Sequence, residues 1–436
     1  MIVDDIRGGT AGDSYEVSAR LRPDGAGLED APRLWFRFPA EYAPDGELDA
    51  SPFLAGTLVW CLRNRENLFV DGPVSPSLLG QVEEITAVLR SFFPSAIRPV
   101  EVRAAASREP TPGRALTASL FTRGLDSWFT LLVAREDPDL QPALTHTVYC
   151  PTFNAKGWSD ELREAKVEAV RDASERIGLT LIRLETNVNR VAGHGQFAMA
   201  LALGPANLLI SSGDMRGGLI PRGMHPDLDF RFSTARTKII HYGNASRIQK
   251  ADRVSQSQVA LQTLNVCQYD YLEQDRNCGR CEKCVRTMLE LHALGALDRC
   301  PVFDQPLRVA NVARIDSVRG SRQAWLEAQH ALGNGDFDRE LAAAVRMVIF
   351  RSDLRFAAHR AQALSTRKDL AAALGDQSLL AETAERLWAA DHEVEQRMAA
   401  LTGTETSPNS GALSAPRGRA RRLMSRLSRS HRAAHT

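Results

Sequence analysis

Four cysteines lie close together in the sequence and could hold a metal ion. Cys267 is followed after ten residues by Cys278, Cys281 and Cys284, which gives the spacing C-x10-C-x2-C-x2-C. Four thiolates can surround Zn²⁺ tetrahedrally, and the two short spacings place three of them on one tight turn. Because four protein ligands leave no position for water, the spacing predicts a zinc ion with a folding role. The alternative is a group of reduced structural cysteines.

A second segment has the residues to bind phosphate. The apolar run 115–121 leads into a short loop with Gly124, and a helical pattern covers residues 127–135. A helix N-terminus attracts anions because its first N–H groups are unpaired and its dipole is positive there. Gly124 lets a phosphate approach the backbone, Ser127 can cap the helix, and Asp126 can hold Mg²⁺ or orient the loop. An ordinary Asp-Ser helix cap is the alternative.

This loop resembles the Ser-Gly-Gly-x-Asp-Ser signature of the PP-loop ATP pyrophosphatases, a family that includes GMP synthetase, asparagine synthetase and 7-cyano-7-deazaguanine synthase. Thr122 stands at the first serine, Gly124 at the second glycine, and the pair Asp126-Ser127 at the end. Arg123 replaces the first glycine, and it could either add a phosphate contact or block the nucleotide. The resemblance implies that ATP with Mg²⁺ binds over six loop residues, which are Thr122, Arg123, Gly124, Leu125, Asp126 and Ser127.

The cysteine cluster is also similar to a site in this family. Its spacing and its Cys-Gly-x-Cys-x-x-Cys core resemble the zinc site of 7-cyano-7-deazaguanine synthases, where zinc is structural. The loop and the cluster follow one another in the same order as in that family. The resemblance covers residues 115–300.

Two further regions are predicted to line the nucleotide or substrate pocket. Ser212 and Gly213 follow an apolar run, and open α/β sheets bind ligands at the carboxyl ends of their strands. An ordinary strand-to-loop turn is the alternative for these two residues. The resemblance implies a backbone contact to adenine at the end of the second strand, where this chain has Tyr149.

Basic residues near a predicted helix start supply a candidate for a phosphate contact. PP-loop enzymes place a lysine there, and the resemblance implies this role for Lys250, with Arg236 and Arg247 as the other candidates. Solvated basic residues on a helix face are the alternative. We therefore predict Asp126 and Lys250 as the catalytic residues.

The resemblance implies a reaction type as well. In PP-loop enzymes a substrate oxygen attacks the α-phosphorus of ATP, pyrophosphate leaves, and a nitrogen or sulfur nucleophile displaces the adenylate. The sequence has no glutaminase signature and no Cys-x-x-Cys pair outside the cluster, which favours ammonia or an amine. We expect an AMP-forming C–N ligase that uses ATP, Mg²⁺ and Zn²⁺ on a small-molecule carboxylate or amide. The alternatives are a non-catalytic nucleotide-binding or assembly protein and a sulfur-transfer enzyme.

Strand-like and helix-like segments alternate around these candidate sites. Strand-like runs cover residues 115–121, 145–150, 180–184, 207–210 and 238–242, and helical patterns cover 127–135 and 159–177. This alternation is typical of α/β proteins with a parallel, doubly wound sheet. We expect a mainly parallel Rossmann-like sheet of the HUP type.

The chain divides into four predicted regions. An α+β region, 1–112, contains one amphipathic helix with apolar residues from Leu78 to Leu89. The PP-loop domain with its zinc site follows at 113–300, and an Ala-, Leu- and Arg-rich region at 301–401 is expected to be helical. Residues 402–436 are expected to form a disordered basic tail, with binding to lipid or RNA as the alternative.

Bulk composition narrows the class of protein. The 436 residues include 54 basic and 53 acidic side chains, a formal net charge of +1, whereas general nucleic-acid binders carry a strong basic excess. No basic-then-apolar signal begins the chain, and no apolar run is long enough to span a bilayer. We expect a cytoplasmic protein whose partner is a small-molecule acceptor substrate. The oligomeric state stays open, with a homodimer as one option.

Overall fold

The computed structural model describes residues 1–23, 31–111, 113–153, 157–191, 195–213, 224–267, 275–315, 321–373 and 377–402. One compact unit spans Met1–Ile349, and a second begins at Phe350. A search of the described helices finds none with the length and apolar character needed to cross a membrane. The sites predicted from the sequence all belong to the first unit.

The N-terminal region combines strands with three helices. Its strands are β1 (Ile2–Ala11), β2 (Ser14–Arg22), β3 (Arg33–Pro39), β4 (Leu68–Val74) and β5 (Val102–Ser107), and its helices are α1 (Ser51–Asn64), α2 (Pro76–Gly80) and α3 (Val82–Phe92). The predicted single helix is interrupted at Gln81 and forms α2 and α3. Helix α1 was not predicted because nearly all of its residues are buried, among them Phe53, Leu54 and Leu58. Burial on all sides removes the amphipathic period by which a helix is recognised in a sequence.

A parallel sheet follows along the chain. Its region contains β6 (Arg114–Leu120), β7 (Leu144–Tyr149), β8 (Thr180–Arg183), β9 (Glu185–Thr186), β10 (Pro205–Ser211) and β11 (Lys238–Tyr242). Five of these strands pair in parallel in the order β11-β10-β6-β7-β8, while β9 pairs antiparallel with β3 and completes a mixed sheet, β5-β4-β1-β2-β3-β9. The predicted α/β class and the predicted parallel sheet are confirmed.

Helices flank this sheet and continue to the end of the described chain. They are α4 (Leu125–Ala134), α5 (Asp160–Glu175), α6 (Val188–Val191), α7 (Gly195–Leu203), α8 (Pro226–Asp229), α9 (Arg247–Ser255), α10 (Gln258–Thr263), α11 (Glu282–Ala293), α12 (Val309–Ala313), α13 (Arg322–Ala331), α14 (Asp336–Ala373) and α15 (Gln377–Thr402). The helical character predicted for 301–401 agrees with α12 to α15. Thr402 ends α15, and the rest of the predicted basic tail lies outside the described residues.

Core residues cover both faces of the parallel sheet. A site can therefore form only beyond the ends of its strands. On β10, Leu208 and Ile210 belong to a core shared with the N-terminal region, whereas Leu209 packs into the core with α4 and α9. This alternation follows from the two-residue period of a strand. The strand order reverses between the neighbours β6 and β10, and α/β sheets open a crevice at such a point, beyond the carboxyl ends of the strands.

Candidate functional site

A cavity of about 460 Å³ lies at this carboxyl edge, and its volume suits a small-molecule ligand. The loop after β6 and the ends of β7 and β10 form much of its wall. The predicted residues on the wall are Thr122, Arg123, Gly124, Leu125, Asp126, Ser127, Tyr149 and Gly213. The structure therefore brings the predicted loop, strand end and turn together around one space.

The wall is charged on one part and apolar on another. Among the described lining residues five are basic and one is acidic, and this excess attracts anions. The basic residues are Arg123, Lys166, Arg247, Lys283 and Arg286, and the acidic residue is Asp126. The apolar part includes Val148, Phe153, Met199, Ile210 and Met224. Such a cavity can hold a molecule with an anionic end and an apolar end.

The loop after β6 presents the start of α4 to the cavity. Gly124 is the N-cap, and among the described residues no side chain caps the helix. Ser127 was predicted as the cap, but the helix begins two residues earlier, at Leu125. The Ser127 hydroxyl instead accepts from the Thr122 N–H at 3.4 Å and donates to the Gly124 carbonyl at 3.0 Å. The first-turn N–H groups of α4 are thus arranged to receive an anion.

The described atoms around Gly124 leave room for a side chain at this position. Its φ of −69° is ordinary for any residue. An added Cβ would meet its nearest described atom, Oγ1 of Thr122, at 3.4 Å, an ordinary contact distance. Glycine at this position is therefore not required by the fold, and the space in front of it is available to a ligand.

Asp126 connects the loop to α9. Its side chain is 32% exposed, and its two oxygens lie 3.0 Å from Nζ of Lys250 and 3.1 Å from Nη1 of Arg247. Burial by itself would raise the pKa of Asp126, but the charges of Arg247 and Lys250 outweigh burial and lower the pKa. Asp126 is therefore a carboxylate at neutral pH, and it is held by two cations.

The two basic residues of α9 occupy different positions. Arg247 lies on the cavity wall, whereas the Lys250 side chain is 1% exposed and lies behind Asp126. Lys250 donates to Asp126 and to the carbonyl of Ser212, which does not line the cavity. Arg236, the remaining basic candidate, lies against Gly204 at the start of β10, and the wall does not include it. Arg247, rather than Lys250, is the cation that faces the cavity.

Behind Arg247 lies a buried acidic residue that the sequence analysis missed. Glu290 of α11 is fully buried and accepts from Nε of Arg247 at 3.2 Å, and Nε of Arg286 lies 3.7 Å away. Burial raises the pKa of Glu290 to about 6, against the opposing effect of the two arginines. The charged residues 282, 286 and 290 are four apart on one helix face, and this spacing was the available signal.

The four cysteines meet as predicted. Their sulfur atoms all lie within 4.8 Å of one another, and those of Cys278 and Cys284 are 3.9 Å apart. Tetrahedral Zn²⁺ with Zn–S bonds of about 2.3 Å requires sulfur atoms about 3.8 Å apart. Hydrogen bonds among the cysteines lower the pKa of the Cys278 thiol and raise the pKa of the Cys284 thiol. The cluster can hold a metal ion such as zinc.

Local structure explains how this cluster forms. Gly279 has a φ of +66°, and a Cβ there would lie 2.7 Å from the Gln305 carbonyl oxygen, so only glycine fits. N–H groups of Cys281 and Cys284 donate to the sulfur atoms of Cys278 and Cys281, at 3.3 and 3.5 Å. Cys267 is half-buried and also lines the cavity. The four-cysteine cluster and the cavity are therefore neighbours.

Comparison with models of known protein families, with curated proteins and with solved structures found no match. The described side chains themselves provide the evidence on function. They combine an uncapped helix N-terminus, an anion-attracting cavity and a four-cysteine cluster. Asp214, which follows the predicted turn residues, lies outside the described part of the chain.

Proposed function

We propose that this chain binds ATP with Mg²⁺ in the cavity and transfers AMP to an oxygen of a small-molecule carboxylate or amide. Ammonia or an amine then displaces AMP. The observation that carries the proposal is the uncapped start of α4, which faces a cavity with five basic residues and one acidic residue among its described lining. The strand order β11-β10-β6-β7-β8 is compatible with a Rossmann-like sheet of the HUP type.

The loop would hold the β- and γ-phosphates. No described side chain caps the first turn of α4, and the protein leaves room for close approach at Gly124, so the first-turn N–H groups would receive these phosphates. Mg²⁺ commonly keeps its waters and uses one or two carboxylates together with substrate phosphates. Asp126 is the single acidic residue among the described lining residues and is the one that would contact this ion.

The chemistry consists of two displacements. The acceptor oxygen forms a bond to the α-phosphorus while the bond to pyrophosphate breaks, and negative charge develops on the leaving group. Arg247 on the wall and the α4 N-terminus are positioned to stabilise this charge. Lys250 keeps Asp126 ionised and oriented, so we assign it a positioning role in place of a direct phosphate contact. The nitrogen nucleophile then bonds to the activated carbon as AMP leaves.

The apolar wall suggests where the acceptor sits. Phe153, Met199 and Met224 line the cavity beside the charged part, so an acceptor with an apolar body and a carboxylate or amide would match both. Cys150 also lines the cavity, but burial raises the pKa of its thiol to about 11. A neutral thiol is a poor sulfur carrier at neutral pH, which argues against the sulfur-transfer alternative.

A non-catalytic nucleotide-binding protein is the second candidate. One observation favours it: each oxygen of Asp126 already contacts a cation, Lys250 or Arg247, which reduces its capacity to bind Mg²⁺. The two candidates differ in their products. The catalytic one makes AMP and pyrophosphate, whereas the other binds ATP and leaves it intact.

Labelled pyrophosphate distinguishes these functions. The purified chain is incubated with ATP, Mg²⁺, labelled pyrophosphate and pools of small carboxylates and amides, and ATP is then checked for label. We expect label in ATP only when an acceptor is present, because formation of the adenylate is reversible. Release of ADP and orthophosphate would contradict the mechanism. Failure of ATP to bind in calorimetry at millimolar concentration would contradict both candidates.

A further inference from the structure

We infer that the four-cysteine centre positions the phosphate loop, which is the segment 121–124 between β6 and α4, and that Arg123 and Asp275 are the positioning residues that connect the two. Cys267 and Cys278 are candidate metal ligands, and Asp275 lies between them in the chain, three residues before Cys278. Arg123 belongs to the loop in front of α4. The inference rests on the proposed function only for the identity of the ligand that the loop holds.

The backbone of Arg123 is the first reason. Its φ is +59°, in the left-handed region that glycine occupies readily and other residues occupy rarely. A residue persists in this conformation only when its surroundings determine it. Arg123 stands where the resembling loops have glycine, so this chain keeps a glycine-like backbone while it carries a long charged side chain. Contacts with other segments of the chain must therefore hold the Arg123 side chain.

Its contacts identify what holds it. The Arg123 guanidinium forms an ion pair with Asp275 and donates to the Thr263 carbonyl at 3.4 Å. The Arg123 carbonyl accepts from the backbone N–H of Asn265 at 2.9 Å, and the Asn265 amide donates to Asp275 at 2.8 Å. Thr263 and Asp275 do not line the cavity. Arg123 lies on the cavity wall, and its guanidinium is held by partners outside that wall.

Asp275 controls a second part of the cavity wall. Its other cation is Lys166 of α5, with Nζ 3.2 Å from the carboxylate. Lys166 lies on the wall and over the ring of Trp158, 4.8 Å from its centre. One carboxylate, 14% exposed, thus holds two of the five basic residues that line the cavity.

The metal centre holds Asp275 in turn. Two chain segments meet at the cluster, 263–267 and 275–278, and each carries ligands or their neighbours. The side chain of Asn277 joins these segments, since it accepts from the N–H groups of Val266 and Cys267 at 2.7 and 3.1 Å and donates to the Leu264 carbonyl at 2.8 Å. We expect bound metal to fix these segments through all four thiolates, and its loss to leave hydrogen bonds, among them those of Asn277, as the described links between them. The carboxylate and the backbone partners that determine the conformation of Arg123 then hold it less firmly.

Hydrogen exchange at the loop tests this connection without any nucleotide. Peptides covering residues 121–128 are followed by mass spectrometry in the zinc-loaded chain, in the chain treated with a chelator, and in zinc-loaded Asp275→Asn and Arg123→Gly variants. We expect faster exchange in these peptides after chelation and in Asp275→Asn at full zinc content. In Arg123→Gly, exchange should be fast from the start and respond little to the chelator, because the tether is absent.

Asp304→Asn provides the matched control. Asp304 neighbours the same segment and pairs with Arg276 at 2.7 Å, but it has no described contact with the loop. We expect wild-type exchange at residues 121–128 in this variant. Wild-type exchange in zinc-loaded Asp275→Asn would overturn the inference, and so would equal acceleration by Asp304→Asn. Because Asp275→Asn is measured with zinc bound, general unfolding on chelation cannot imitate the result expected for this variant.

Nucleotide binding separates this inference from the proposed function. If ATP binds, calorimetry should show about tenfold weaker binding to Asp275→Asn and unchanged binding to Asp304→Asn, in the range that coupled sites show. Exchange that responds as expected in a chain that binds no ATP supports the connection and contradicts the function. If Asp275→Asn leaves exchange at residues 121–128 unchanged in a chain that binds ATP, the connection is contradicted and the nucleotide-binding part of the proposed function is supported.

Discussion

Two ion-pair clusters flank the phosphate loop, and at the centre of each one carboxylate contacts two cations. In the first, Asp126 contacts Lys250 and Arg247, and in the second, Asp275 contacts Arg123 and Lys166. They differ in which member faces the cavity. In the first cluster the carboxylate Asp126 lies on the wall together with Arg247, whereas in the second the cations line the wall and the carboxylate lies outside it.

This difference separates two tasks. A carboxylate on the wall can take part in binding Mg²⁺ or in orienting Arg247, so the Asp126 cluster is suited to the reaction that we propose. A carboxylate behind the wall can only hold other groups in place, and the Asp275 cluster is suited to positioning. Similar residues in similar pairs therefore serve different purposes, according to which side of the wall they occupy.

Loss of the metal should have the largest effect on stability of all the changes considered. It should act first on the second cluster, because Asp275 lies close to the cysteines. Replacement Cys281→Ser removes one of four ligands, and structural zinc sites contribute on the order of 10 kcal/mol to folding. We expect a chain that loses its zinc and unfolds at a much lower urea concentration. Elemental analysis and urea denaturation measure these two quantities.

Cys61→Ala is the control for this replacement. Cys61 is buried in α1 and is not part of the cluster, so the variant should keep one zinc ion per chain. A metal-free Cys281→Ser chain as stable as the wild type would contradict a folding role for the metal.

Removal of charge from each carboxylate compares the clusters directly. Asp126→Asn should lower kcat by roughly 10²-fold, the size of effect seen when one charge-stabilising group is lost from an active site. Asp275→Asn should act mainly on nucleotide affinity and so raise KM for ATP. Steady-state kinetics of pyrophosphate release gives both constants. Equal changes in kcat for the two variants would remove the distinction between the clusters.

Stability should depend on pH through Glu290, which pairs with Arg247 of the first cluster. Its pKa is about 6 in the folded chain against an ordinary 4.5, so the folded state binds the proton more strongly. The free energy of unfolding contributed by this group therefore falls as pH rises from 4.5 to 6, by about 2 kcal/mol, and stays constant above that range.

Glu290→Gln tests this titration through the slope of stability against pH. The variant leaves Arg247 and Arg286 without their carboxylate, which shifts its stability at every pH, but the slope between pH 4.5 and 6 should lose the contribution of Glu290. Urea denaturation of both chains across this range measures it. Identical slopes would show that Glu290 titrates normally.

The smallest expected effect is at the shared loop. Gly124→Ala places a methyl group 3.4 Å from the nearest described atom at an ordinary φ, so stability should change by less than about 1 kcal/mol. ATP binding should weaken several-fold because the methyl group enters the space assigned to phosphate. Calorimetry and thermal denaturation measure the pair of effects. Unchanged ATP affinity would place the phosphates elsewhere.

Short-range patterns in the sequence determined the cysteine cluster and the parallel strands. The cluster depends on turns within a few residues, above all at Gly279, so spacing alone predicts it. The strands at 114–120 and 238–242 are short segments that alternate with helical patterns, and that alternation predicts a parallel sheet. Their local character is the physical reason that sequence reasoning reached them.

Only the tertiary structure decided which basic residues face the cavity. Arg247 and Lys250 are three apart, so both lie on one face of α9, and the packing of that helix places Arg247 on the wall and Lys250 behind Asp126. Arg123 and Asp275 are 152 positions apart in the chain. No local pattern encodes a pair at that separation, because its distance depends on how the sheet, the helices and the metal centre pack together.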